Sequence, residues 1–203
     1  MADRLGYSLE LRDCIIETIN DLLKQETSYG KPGILLGKVQ SGKTRAYLGI
    51  IGLSFDKDYD VAVILTKGTR SLARQTLKRV REDFGAFIQG DQVQVYDIMS
   101  LPENLTRYEL GQKLILVVKK EDDNVRRLLN AFKNKYPSLT EKHLLIVDDE
   151  ADTASVSFRR NQGQINVGVI SQQIDQLRIL VKNSDYLQVT ATPYSLYLQP
   201  KDD

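Results

Sequence analysis

Ile34-Leu35-Leu36-Gly37-Lys38-Val39-Gln40-Ser41-Gly42-Lys43-Thr44 joins a short apolar run to a glycine-bounded loop and then to a helical pattern. Residues 37–44 fit G-x-x-x-x-G-K-[ST] without a mismatch, and the flanking strand and helix are the context that pattern requires. Gly37 and Gly42 let the backbone wind around a phosphate with no Cβ in the way. The loop amides, Gln40 and Ser41 included, and the start of the helix present N–H groups and a positive dipole to an anion. Lys43 is placed to neutralise the β- and γ-phosphates of a nucleotide, and Thr44 to offer its hydroxyl to Mg2+.

Outward from this stretch, apolar runs alternate with helical spacing. Strands are predicted at 34–36, 61–65, 93–96, 114–118, 144–147 and 187–189. Helices are predicted at 11–23, 43–54, 69–84, 124–134 and 167–182. Near-continuous apolar strands separated by helices predict an α/β fold, a mainly parallel sheet with helices on both faces. Residues 1–30 read as an amphipathic helix and a breaker-rich linker, with Leu11, Ile15, Ile19, Leu22 and Leu23 at helical spacing. Residues 31–203 read as the main lobe. The polar stretch 153–166, with Arg159 and Arg160, reads as a long loop.

The second chemical motif is Leu144-Leu145-Ile146-Val147-Asp148-Asp149-Glu150-Ala151-Asp152, an apolar strand that ends in carboxylates. In a parallel sheet, ligands sit at the C-terminal strand ends, so this acidic end and the glycine loop can converge. A carboxylate there holds Mg2+, and the next one can polarise the water that attacks a phosphate.

Composition bounds the rest. The chain has 203 residues, 41% hydrophobic and 27% charged, with a net charge of +1. Contact with a polyanion would therefore have to be local rather than global. The single cysteine, Cys14, excludes an intramolecular disulfide and is expected to be buried in an apolar helix. The N-terminus has no secretory h-region, and no apolar run reaches membrane-spanning length, so a soluble cytoplasmic protein is expected. His143 stands alone among charged neighbours and reads as structural.

The two motifs together resemble the DEAD-type superfamily 2 helicases and translocases, with Asp149-Glu150-Ala151-Asp152 reproducing the DEAD letters. Thr190-Ala191-Thr192-Pro193 resembles their S/T-A-T motif. Leu65-Thr66-Lys67-Gly68-Thr69-Arg70-Ser71-Leu72-Ala73-Arg74-Gln75 resembles their motif Ia. The resemblance implies a RecA-like P-loop NTPase lobe that binds ATP and Mg2+. By it, Lys43 and Thr44 hold phosphate and metal, Asp149 holds the metal and Glu150 activates water. Asp152 would couple to Thr190 or Thr192, and Lys67, Thr69 and Arg70 would touch a nucleic-acid backbone. Asp148 is left as a strand-end residue. A second RecA-like lobe with an arginine finger is expected beyond residue 203. The adenine-reading glutamine of many such helicases has Ile15 in its place here. A narrower likeness, to ATPases attached to endonucleases in restriction and phage-defence systems, implies DNA rather than RNA. Two other readings remain: a P-loop ATPase or kinase without a nucleic-acid substrate, and a nucleotide-switch module without turnover.

Overall fold

The computed structural model describes residues 7–25, 27, 31–37, 42–67, 69–149, 159–161, 164–166 and 168–191. Six strands form one parallel sheet. They are β1 (Gly33–Leu36), β2 (Val61–Thr66), β3 (Val93–Asp97), β4 (Lys113–Lys119), β5 (His143–Asp149) and β8 (Asn183–Thr190), in the order β1-β8-β5-β2-β4-β3. The helices are α1 (Leu9–Lys24), α2 (Lys43–Phe55), α3 (Arg70–Asp83), α4 (Gly85–Gln89), α5 (Arg107–Gly111), α6 (Asp122–Asn130) and α7 (Val169–Leu180).

Strand alternation divides the core in two. Ala62, Ile64, Ile115, Val117, Leu145, Val147, Leu187 and Val189 face one side and pack with Ile15, Ile19 and Leu22 of α1 and Tyr47, Ile50 and Ile51 of α2. Val63, Leu65, Leu116, Val118, Leu144, Ile146 and Tyr186 face the other side and meet Val125 and Leu128 of α6 and Ile174 and Leu177 of α7. Strands buried on both faces explain the unbroken apolar runs. Cys14 is only half-buried, at the margin of the first core rather than within it.

Several predicted boundaries move. The expected helix 69–84 is α3, capped by Thr69 and ending before Phe84, and a short helix that was not expected, α4, follows it. The helix expected at 124–134 starts at Asp122 and ends in one π turn, Ala131–Lys135. The strand expected at 187–189 begins four residues earlier, because the polar residue Asp185 is buried against hydrogen-bond donors. Within the stretch read as a loop, β6 (Arg159–Asn161) and β7 (Gln164–Asn166) pair antiparallel. Helix α5, held by a Thr106–Glu109 capping box, gave no apolar periodicity to find.

Candidate functional site

The C-terminal ends of β1, β8, β5 and β2 lie side by side. Leu36 pairs with Thr190, Asp149 with Val189 and Leu65 with Asp148. Parallel registration thus brings the glycine loop, the acidic strand end, the Thr190 stretch and the β2–α3 junction to one edge of the sheet. The Gly37 N–H donates to the Thr190 carbonyl at 3.1 Å, so the first residue of the loop is bonded to the strand beside it. Gly42 caps α2 at φ +80°, a left-handed conformation that favours glycine. The first turn of α2 then carries Lys43 and Thr44.

Tyr47 ties this helix to the acidic strand. It is fully buried one turn below Lys43, and its hydroxyl donates to Asp149 Oδ2 at 3.4 Å. Burial, and then the negative charge of Asp149, push the Tyr47 hydroxyl above its ordinary pKa, so it stays protonated as a donor. Arg79 of α3 donates to Thr44 Oγ1 at 3.3 Å. Neither Tyr47 nor Arg79 stands out in the sequence, since one reads as core spacing and the other as a solvated charge. Thr66, at the end of β2 next to β5, is buried, and its Oγ1 has no hydrogen-bond partner among the described residues.

The neighbouring acid has a different task. Asp148 is completely buried, with Oδ1 accepting from Lys120 Nζ at 2.7 Å and Oδ2 accepting from the Tyr186 hydroxyl at 2.6 Å. It is the strand-end residue expected from the sequence. Lys120 was not anticipated; the signal available was a lysine one step beyond an apolar strand, in phase with Leu116 and Val118.

Lys67, Thr69 and Arg70 are exposed at the β2–α3 junction. The Thr69 hydroxyl accepts from the Leu72 N–H at 3.3 Å and caps α3, so it has a structural use as well as any external one. Gln40, Ser41, Glu150, Asp152 and Thr192 lie outside the described residues. His143 sits at the opposite end of the sheet, with Nε2 at 3.2 Å from Asp185 Oδ2 and its ring stacked on Tyr59 at 3.7 Å.

A strand–loop–helix with a complete phosphate-loop pattern, hydrogen-bonded to an acidic strand two places away, matches the profile of the DEAD/DEAH box helicases over residues 15–196. The chain belongs to the DEAD/DEAH box helicase family. Its fold is that of the ATP-binding lobe of superfamily 2 helicases. It is similar to the helicase domain of Pyrococcus furiosus Hef, with TM-score 0.62 and 17% identity over 96% of this chain and 36% of that one. It is similar to a nuclease-deletion mutant of the Type ISP restriction-modification enzyme LlaGI in complex with a DNA substrate mimic. There the TM-score is 0.56 and the identity 16%, over 93% of this chain and 18% of that one. A third likeness is Saccharomyces cerevisiae Dbp5 bound to RNA and ADP–BeF3, with TM-score 0.52 and 20% identity over 99% of this chain and 50% of that one. The chain thus spans half or less of the length of these helicase chains. No curated protein matches it. Among the described residues, no helix of this lobe is long and apolar enough to cross a membrane.

Proposed function

We propose that this lobe binds ATP with Mg2+ and, within a longer cytoplasmic protein, drives a nucleic-acid-dependent helicase or translocase. The observation that carries the reading is the Tyr47–Asp149 hydrogen bond. It places the helix that bears Lys43 and Thr44 against the strand end that bears the acidic motif.

The residues present fit the metal. Thr44 and Asp149 offer hard oxygen donors, and the orphaned Thr66 hydroxyl lies on the adjacent strand. Mg2+ commonly takes one or two carboxylates plus phosphate and water, not a cage of protein ligands. When bound, it would neutralise phosphate charge. Gly37, Gln40, Ser41, Gly42, Lys43 and Thr44 form the phosphate cradle in this reading. Lys43 carries the cation to the β- and γ-phosphates, and Glu150 takes a proton from the attacking water. Thr190 is already bonded to Gly37, and with Asp152 and Thr192 it would relay nucleotide state to lobe closure. Residues 1–30 act as a helix and linker packed on the 31–203 lobe.

Lys67, Thr69 and Arg70, on the same edge, would meet a nucleic-acid backbone. LlaGI is bound to a DNA mimic and Dbp5 to RNA. The likeness to endonuclease-associated ATPases favours DNA in a restriction or defence setting. A second RecA-like lobe in the same protein would supply an arginine finger, typically worth roughly 10³–10⁵ in rate.

The test is steady-state phosphate release by the 203-residue chain and by the full-length protein, each with and without single-stranded DNA or RNA. The chain alone is expected to bind nucleotide and to hydrolyse it only marginally, and the full-length protein to respond to nucleic acid. Glu150→Gln in the full-length protein should keep nucleotide binding and lose turnover, because an amide cannot serve as a base. Robust, nucleic-acid-stimulated hydrolysis by the chain alone would overturn the two-lobe reading.

A further inference from the structure

Two aspartates stand side by side at the end of β5, and alternation along the strand sends them to opposite faces of the sheet. Asp149 follows Leu145 and Val147 and faces α2; Asp148 follows Leu144 and Ile146 and faces α6 and α7. A one-residue slip at the strand end would exchange them. The structure contains a device that opposes such a slip. The Lys120 and Asp148 side chains are 1% and 0% exposed and are bonded at 2.7 Å. The same Lys120 Nζ donates to the Asp149 carbonyl at 2.9 Å. The Lys120 backbone N–H donates to the Thr66 carbonyl at 2.8 Å, at the end of β2. One residue therefore joins the ends of β4, β2 and β5. The Tyr186 hydroxyl closes the arrangement from β8 at 2.6 Å.

A buried ion pair is a poor means of raising stability, because the cost of desolvating two charges commonly offsets their attraction. What this pair provides is geometry. Its hydrogen bonds hold the main chain at 148–149, so that the Asp149 carboxylate is directed toward α2, where it accepts from the Tyr47 hydroxyl. We propose that Lys120, with Tyr186, is a positioning residue for the metal-holding Asp149. It engages Asp148 and the Asp149 carbonyl on the back of the sheet and leaves the Asp149 carboxylate to serve the nucleotide face. The proposal rests on the reading of Thr44 and Asp149 as the Mg2+ site.

The test uses the full-length protein and the double variant Lys120→Met, Asp148→Asn. That pair removes both buried charges together, retains an acceptor for Tyr186 and deletes the bond to the Asp149 carbonyl. Calorimetry measures ADP affinity in EDTA and in Mg2+. In EDTA the affinity should stay within about twofold of the parent's, because the phosphate loop is untouched. The gain in affinity conferred by Mg2+ should fall by about tenfold, the lower end of what outer-shell partners of metal ligands contribute. ATP turnover should fall with it, while KM measured at saturating Mg2+ changes little. A residue of purely structural value would lower the unfolding midpoint and leave the Mg2+ gain intact. Tyr186→Phe, which removes a single hydroxyl, is the second variant and should lose at least half of that gain. A parental Mg2+ gain in either variant overturns the proposal. A parent protein whose ADP affinity does not respond to Mg2+ overturns instead the assignment of the metal site.

Discussion

Asp185→Asn tests the other end of the sheet, where a carboxylate is held by three donors. Its Oδ1 accepts from Thr27 Oγ1 at 2.8 Å. Its Oδ2 accepts from the Tyr59 hydroxyl at 2.7 Å and lies 3.2 Å from His143 Nε2. Thr27 is itself committed, since its hydroxyl accepts from the Tyr186 N–H at 2.9 Å. An amide offers one carbonyl in place of two carboxylate oxygens. Whichever way it is turned, at least one of the three groups meets an NH2 instead of an acceptor. A hydrogen bond to a charged group contributes about 1.5–3 kcal/mol, and relief of the carboxylate's desolvation returns part of that. The net loss should be about 2 kcal/mol, or roughly 4–8 °C in Tm for a domain of this size. Urea unfolding followed by circular dichroism measures it. Nucleotide affinity should not change, because Thr190 lies five positions along β8 from Asp185, about 16 Å away. The pH dependence has a definite sign. Burial raises the Asp185 pKa, but the hydrogen bonds from His143, Tyr59 and Thr27 outweigh it and hold the group below its ordinary value. A lowered folded-state pKa contributes stability that is fully present above the unfolded value of about 3.9 and is lost as pH falls through the folded one. The gap between parent and variant should therefore narrow only below about pH 4. A variant within 0.5 kcal/mol of the parent at pH 7, an interval of ordinary surface substitutions, would refute the reasoning.

The proposed nucleotide and nucleic-acid contacts have tests of their own. Lys43→Ala removes the phosphate cation and should weaken ATP or ADP binding at least about tenfold, or ~1.4 kcal/mol, by calorimetry; equal affinities would remove the basis for the cradle. Lys67→Ala with Arg70→Ala should weaken binding of the full-length protein to single strands whatever their sequence. It should also flatten the salt dependence, and an unchanged slope across two salt concentrations counts against that surface.

What could be read from the sequence follows from how far each interaction reaches along the chain. Residues 37–44 carry their chemistry in eight consecutive positions, and the strand before them and helix after them declare themselves by period, so the glycine loop was legible. The acidic strand was legible for the same reason, but the sequence reading left Asp148 only as a strand-end residue, and its burial against Lys120 and Tyr186 came from the structure. The residues that make these segments into one site were not legible. Tyr47 and Asp149 are 102 positions apart, and Lys120 and Asp148 are 28 apart. The registration of β1, β8 and β5 makes the first pair neighbours, and that of β4, β2 and β5 the second. The polar start of β8 was missed on the same account. Asn183-Ser184-Asp185 has the composition of a loop, and it extends as strand because Thr27, Tyr59 and His143, from three other segments, satisfy the buried carboxylate. Local propensity is overruled where distant donors make a polar residue acceptable in the interior. Both buried carboxylates, Asp148 and Asp185, mark such places, one at each end of the sheet. The one at the C-terminal strand ends meets a lysine that also grips the main chain of Asp149, while the other meets neutral hydroxyls and an imidazole. That contrast is why removing Asp185 should cost stability alone, whereas neutralising the Lys120–Asp148 pair should be felt in how the lobe responds to Mg2+.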